Sequence, residues 1–319
     1  MEAATQIGAS AKLFRTRSNR FSSVPQMTAQ HPTSLINELL PRCTFPPSGS
    51  AISCAVSGGP DSMALMLLAH AHGLQVTAIH VDHGIRLESA SDIDSIRPVA
   101  DALGIEMVVH TVAVAAGPNL EARAREARYG VFTPETATGH TADDQAETVL
   151  INLLRGAGAQ GLGAMRPGHT RPLLALRRAD THALCAAAGI TTIDDSTNAD
   201  PRFQRNRVRN ELLGLMADIS KRDPVPLLAR TADVLREDND LLDDLASHID
   251  PTDAQALAAA PPALARRAIR QWLAHPYPPD LATIERVLSV ARGDTLACDV
   301  GDNFEIRRSK QRLILQRLG

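Results

Sequence analysis

The chain has 319 residues, 44% of them hydrophobic, enough for one large or two modest domains with true cores. No apolar run reaches the roughly 18–20 residues that span a bilayer, and the N-terminus lacks the apolar core of a secretory signal, so a soluble, cytoplasmic protein with no membrane partner is expected. The formal net charge of −3 excludes a globally basic nucleic-acid binder, so any polyanion partner needs a local basic patch.

Residues 1–30 are rich in Ser, Thr, Arg and Ala without periodicity and read as a disordered extension, with a functional start near Met27 favoured over a transit peptide. From Ser50 the pattern alternates. A strand is predicted over 51–56, a helix after Ser62, strands near 75–81 and 106–114, a helix near 119–132, a short strand near Thr136, and a helix over 141–155. This alternation predicts a mostly parallel α/β sheet, whose ligands bind beyond the carboxyl ends of the strands. Ser57 to Ser62, Asp82-His83-Gly84 and Gly139-His140 stand at those ends. A Gly-rich stretch (156–163), a short helix near 177–188 and a polar connection over 194–210 follow. From about Asp223 Leu and Ala recur at helical spacing, and the chain closes on a hairpin around Ser309-Lys310-Gln311. The domains expected are 31–218 and 223–319, the linker being Asp223-Pro224-Val225-Pro226.

Ser57-Gly58-Gly59-Pro60-Asp61-Ser62 joins an apolar strand to an apolar helix. Two glycines let the backbone approach an anion, and free amides at a helix start favour negative charge. No Gly-Lys-Ser/Thr follows, so this is not a Walker A loop. Asp61 beside a polyphosphate calls for a divalent cation or a bound ammonium. Further along, His140, Asp144 and Glu147 fall within about 60° on a helical wheel, placing two carboxylates and an imidazole on one face. Helix-start acids favoured by the macrodipole are the plain alternative. Zinc is disfavoured there, since no second His or Cys stands at ligand spacing. Arg202, Arg205, Arg207 and Arg209, with Phe203 interleaved, suit phosphates and base stacking; a surface loop salt-bridged to Asp194, Asp195 and Asp200 is the alternative.

The six-residue loop resembles the PP-loop of the N-type ATP pyrophosphatases. The wider set of motifs resembles the tRNA(Ile)-lysidine synthetase family: Ser57 to Ser62; Val81-Asp82-His83-Gly84-Ile85-Arg86; Asn119 to Tyr129; His140 to Thr148; Arg171-Pro172-Leu173-Leu174; Asp194 to Asn198; and Arg205-Asn206-Arg207-Val208-Arg209. The resemblance implies an adenine nucleotide α-hydrolase-like parallel-sheet domain followed by a smaller, mainly helical one. It also implies ATP-dependent ligation of free L-lysine to C2 of the wobble cytidine of a CAU-anticodon tRNA(Ile), through an adenylated intermediate that releases AMP and pyrophosphate. By the same resemblance Ser57, Gly58, Gly59, Pro60, Asp61, Ser62, Asp82 and His83 bind ATP, with Mg²⁺ at Asp61. Asp61, Arg128, Asp144 and Glu147 are catalytic; Asp144 and Glu147 hold lysine; Arg205, Asn206, Arg207 and Arg209 bind tRNA. A homodimer is compatible with it. One departure is the short connection from Arg128-Tyr129 to His140. The rivals are another PP-loop tRNA enzyme such as a thiolase, against which stands the lack of a placed cysteine among Cys43, Cys54, Cys185 and Cys298, none in a CxxC pair, and a non-catalytic RNA-binding relative.

Overall fold

The structure, a computed structural model, describes residues 10–12, 31–82, 89–112, 123, 130–193, 202–275 and 277–318. Two compact units are present, Met1–Ala157 with Ala164–Arg230, and Gly158–Gly163 with Thr231–Gly319.

The first unit is built on strands β1 (Ser10–Lys12), β2 (Ala51–Ala55), β3 (Gln75–Asp82) and β4 (Glu106–Thr111), in the order β1-β4-β3-β2. β2, β3 and β4 are parallel, with Ala51 opposite Gln75 and Thr77 opposite Glu106. β1 runs antiparallel along the edge of β4, so part of the leader expected to be disordered is paired; the rest of it lies outside the described residues. In β2, Ile52 and Cys54 turn inward in strand alternation. The following helix, Pro60–Ala71, is buried from Ser62 through Ala69, which explains its continuous apolar run. It packs against β2, β3 and the helix Arg178–Ala187, and Leu65, Leu68, Ile96, Leu173 and Leu184 belong to the same core. The expected strand near Thr136 is a single parallel bridge: Ala55 N donates to Ala137 O, and Ala137 N to Ser53 O, both at 2.8 Å. The short connection before His140 leaves no length for more. The helix expected over 119–132 lies almost wholly outside the described residues.

Two helices frame the sheet's carboxyl edge. Ala142–Leu154 begins on Thr141, and its Ala142, Ala146 and Leu150 pack against Val208, Leu213 and Val225. The polar connection expected over 194–210 is helical from Gln204 onward: Gln204–Arg207 runs through a π-helix, Val208–Leu212, into Leu213–Ser220.

In the second unit the helices Ala254–Ala259, Pro262–Trp272 and Leu281–Arg292 enclose Leu257, Ile269, Val287 and Leu288. Asp253 and Asp280 cap two of them, accepting from Gln255 N at 2.9 Å and Thr283 N at 2.8 Å. The expected hairpin is β6 (Phe304–Ser309) and β7 (Arg312–Arg317), joined by β5 (Ala297–Gly301) into a three-stranded antiparallel sheet. The chain thus forms the expected parallel-sheet α/β unit followed by a smaller, mainly helical region.

Candidate active site

The loop after β2 turns on Gly58, whose φ of +83° is left-handed; a Cβ there would also lie 2.5 Å from Ile193 Cδ1. Gly59 precedes the helix without a side-chain cap, and Pro60 occupies its first turn. Pro60 has no N–H, so the loop amides that can meet an anion are those of Gly58, Gly59, Asp61 and Ser62. Ser62 Oγ donates to Gly59 O at 2.8 Å and accepts from Ser57 N at 3.1 Å, so the two serines brace the loop from inside. Below it, buried His80 on β3 bonds through Nδ1 to Val56 O at 2.8 Å, a support with no local signal in the sequence.

Gly139, two residues past the Ala137 bridge, brings the chain against this loop. A Cβ on it would lie 2.6 Å from Asp61 O and 2.8 Å from Asp61 C, so only glycine admits the approach. His140, predicted on the helical face, instead precedes the helix and bonds through Nδ1 to Thr138 Oγ1 at 2.7 Å. Asp144 divides its carboxylate. Oδ2 accepts from Thr141 N at 2.9 Å and Thr141 Oγ1 at 3.0 Å, closing the helix start, while Oδ1 faces the site.

There Asp144 and Glu147 meet three guanidinium groups. Arg178 Nη2 donates to Asp144 Oδ1 at 3.0 Å and to Glu147 Oε1 at 3.3 Å, and its Nε stands 3.5 Å from Asp61 Oδ2. Arg205 donates from Nε to Glu147 Oε2 at 2.6 Å and from Nη2 to Asp144 Oδ1 at 3.1 Å. Arg209 donates from Nε to Glu147 Oε1 at 2.6 Å and from Nη2 to Oε2 at 3.1 Å. Glu147 is 0% exposed, so each of its oxygens relies on these donors. Thr181 donates its hydroxyl to Asp61 Oδ1. Burial raises the Asp61 carboxyl above the ordinary range, with the Asp144 charge adding to it and outweighing Thr181 and Arg178. Burial acts on Asp144 the same way, but Arg178 and Arg205, with His140 and the Thr141 amide, overcome it and hold that carboxyl below its usual value.

The structure therefore brings Asp61, Asp144 and Glu147 together beside the loop, and places Asp82 at the end of β3. His83 and Arg128 lie outside the described residues. Of the basic run, Arg205 and Arg209 turn inward, Asn206 is buried, and Arg207 faces outward on Glu211 at 2.9 Å. Sequence reasoning misses Arg178 and Thr181. Their trace in the sequence is Arg177-Arg178 opening a helix, where cations oppose the macrodipole unless carboxylates elsewhere answer them. Asp143 and Asp223 answer Arg177, Asp143 at 3.0 Å. The thiols of Cys43, Cys54 and Cys185 are each pushed up to about 12, chiefly by burial, which favours their protonated form. Among the described residues no three His, Cys, Asp or Glu side chains are grouped to hold a metal ion, and no helix is long and apolar enough to cross a membrane.

Two family profiles match the chain, a PP-loop domain over residues 29–216 and a TilS substrate binding domain over residues 253–314. The tRNA(Ile)-lysidine synthase of Mycolicibacterium paratuberculosis is 44% identical over 234 residues, covering 69% of this chain and 73% of that protein. That of Nocardia farcinica is 43% identical over 247 residues, covering 72% and 77%. Among solved structures, a U34-tRNA thiolase of Methanococcus maripaludis is 16% identical with a TM-score of 0.49, covering 65% of this chain and 78% of that one.

Proposed function

The chain belongs to the tRNA(Ile)-lysidine synthase family, and from that premise we propose which residues carry the ligation of lysine to the wobble cytidine. The observation that supports the assignment is the pair Asp144 and Glu147, set on one helix start and linked through Arg178 to Asp61 of the phosphate loop.

Cytosine C2 holds its oxygen too firmly for an amine to displace it directly. Attack of that oxygen on the α-phosphorus of ATP breaks the bond to pyrophosphate and leaves the base adenylated. The lysine ε-amine then attacks C2, and the oxygen departs with AMP. The amides of Gly58, Gly59, Asp61 and Ser62 bind the polyphosphate, assisted by the positive end of the helix Pro60–Ala71. Asp61 is the loop's carboxylate. Asp61 would be the protein's ligand to a Mg²⁺ ion brought by ATP, which would supply positive charge against the polyphosphate.

Lysine arrives as an ammonium, with an intrinsic pKa of about 10.4, and must be held by a carboxylate and lose a proton before it attacks. Glu147, fully enclosed, and Asp144, kept ionised by its arginines, hold the ammonium between them, and its proton passes by way of this pair to solvent. Arg207, exposed on its pair with Glu211, is the arginine of the basic run that we assign to the tRNA backbone. The activity is tested by incubating the protein with ATP, lysine and CAU-anticodon tRNA(Ile), then measuring nucleoside masses for lysidine. In the Glu147→Gln protein adenylated tRNA is expected to form while lysine capture fails. Equal loss of both half-reactions would move Glu147 to the nucleotide.

A further inference from the structure

The carboxylates proposed to hold lysine are ion-paired with two of the arginines proposed to hold tRNA. Three carboxylates, Asp61, Asp144 and Glu147, face three guanidinium groups, Arg178, Arg205 and Arg209, so the cluster is neutral before any substrate enters. An ε-ammonium added to it would bring an unmatched positive charge into an enclosed site and compete for Glu147 oxygens already bonded at 2.6 Å. Burial of an unmatched charge is strongly unfavourable, so a guanidinium has to leave as lysine arrives.

Arg178 is the one built to stay. It opens its own helix, its backbone N donates to Asp143 Oδ2 at 2.8 Å, and its side chain also reaches Asp61. Arg205 and Arg209 stand on either side of the junction between Gln204–Arg207 and the π-helix Val208–Leu212, a non-ideal turn that a change of register can convert. Their side chains are 31% and 24% exposed, and between them Arg207 is 62% exposed, so the same short segment presents one guanidinium to solvent and two to the carboxylates. A phosphate backbone at this segment offers the inner pair an alternative anion.

We propose that Arg205 and Arg209 form a latch on the lysine site which tRNA opens: tRNA phosphates draw the two guanidinium groups from Glu147 and Asp144, and the ε-ammonium takes their place. The proposal rests on the reading of Asp144 and Glu147 as the lysine carboxylates. It makes lysine and tRNA mutually cooperative ligands, each raising the other's affinity by the same factor. It also withholds the amine until the base it must attack is present.

The test is equilibrium dialysis of radiolabelled lysine against the full-length protein, without ATP, with and without CAU-anticodon tRNA(Ile). In the parent, tRNA is expected to tighten lysine binding by between about 5- and 150-fold. In the Arg205→Gln/Arg209→Gln protein, lysine should bind tightly without tRNA and gain nothing from it, a rise in affinity that damage to the fold does not produce. Glu147→Gln should lose lysine binding under both conditions. If Glu147→Gln binds lysine like the parent, the carboxylate assignment is wrong. If it loses lysine while tRNA leaves the parental affinity unchanged, the latch alone is overturned. Should the double variant not fold, the parental comparison still decides.

Discussion

Asp61 and Asp144 share one arginine, Arg178, yet the fold shifts their carboxyl groups in opposite directions. For Asp144 the folded pKa lies below the unfolded value of about 3.9, so its contribution to stability is present above that value and is lost as pH falls through the depressed one. Asp61 is the reverse. Its folded pKa is raised, so its contribution is fully present only below about pH 3.9 and is lost as pH rises through the raised value. At neutral pH an ionised Asp61 therefore costs stability, which the fold retains for the sake of charge beside the phosphate loop. Asp61→Asn keeps the acceptor for Thr181 and removes that cost. The variant should lose tRNA-dependent formation of AMP and pyrophosphate while its urea midpoint matches or exceeds the parent's. The difference between the two proteins should open as pH rises through the Asp61 transition. A variant less stable than the parent across this range, or one that still makes AMP, would show that Asp61 is a structural carboxylate.

At the scale of elements, the site is two helix starts meeting, the acidic one of Ala142–Leu154 and the cationic one of Arg178–Ala187. Carboxylates of the first answer the cations of the second, so Arg178→Ala removes one partner of a buried charge while Arg205 and Arg209 remain. We expect a loss of about 3 kcal/mol in unfolding free energy, near the low end for such a deletion. Arg207→Ala, at an exposed pair with Glu211, should leave the urea midpoint unchanged. Equal midpoints for the two variants would mean that the cluster carries no stability. Much of this arrangement is legible in the sequence. Strand β2, the glycine loop and the apolar helix follow from local pattern, and the acids of Ala142–Leu154 from spacing. What stays hidden depends on pairing across the fold. Ser89–Ala102 does not read as a helix because Pro98 interrupts an acidic, weakly apolar run. The basic run reads locally as a polar connection. Placed on a helix, Arg205, Val208, Arg209 and Leu212 fall at i, i+3, i+4 and i+7, which puts both arginines on the apolar, inward face and Arg207 with Glu211 outside. That face turns toward Ala146 and Leu150, neighbours that no local pattern contains.

A protein of net charge −3 can hold a polyanion only through a local surface of cations that phosphates can draw from its own acids. In the first unit Arg207 is such a cation, 62% exposed on its pair with Glu211, together with whatever the inner pair releases. In the second unit the β6–β7 hairpin carries exposed Arg307, Lys310, Arg312 and Arg317, of which Arg307 pairs with Glu305 and Arg312 with Asp250. Removing the second unit is a poor way to separate these surfaces. Gly158–Gly163 belongs to it, held by Arg236 Nη1 donating to Gly163 O at 2.6 Å and Asn239 Nδ2 to Ala159 O at 2.9 Å, so a cut after residue 222 strands that turn within the chain before it. Neutralising charges leaves both folds in place. For every phosphate that no longer meets a cation, the slope of log affinity against log salt should flatten by about 0.7–0.9. Lys310→Ala/Arg317→Ala should therefore reduce the slope for tRNA by about 1.4–1.8 if both residues reach the backbone. Arg207→Ala should reduce it by about 0.7–0.9, and ATP binding should be unchanged in both proteins. A parental slope in the hairpin variant would place the tRNA path away from that sheet. A parental slope in Arg207→Ala would leave the segment Gln204–Leu212 with no phosphate to open its latch.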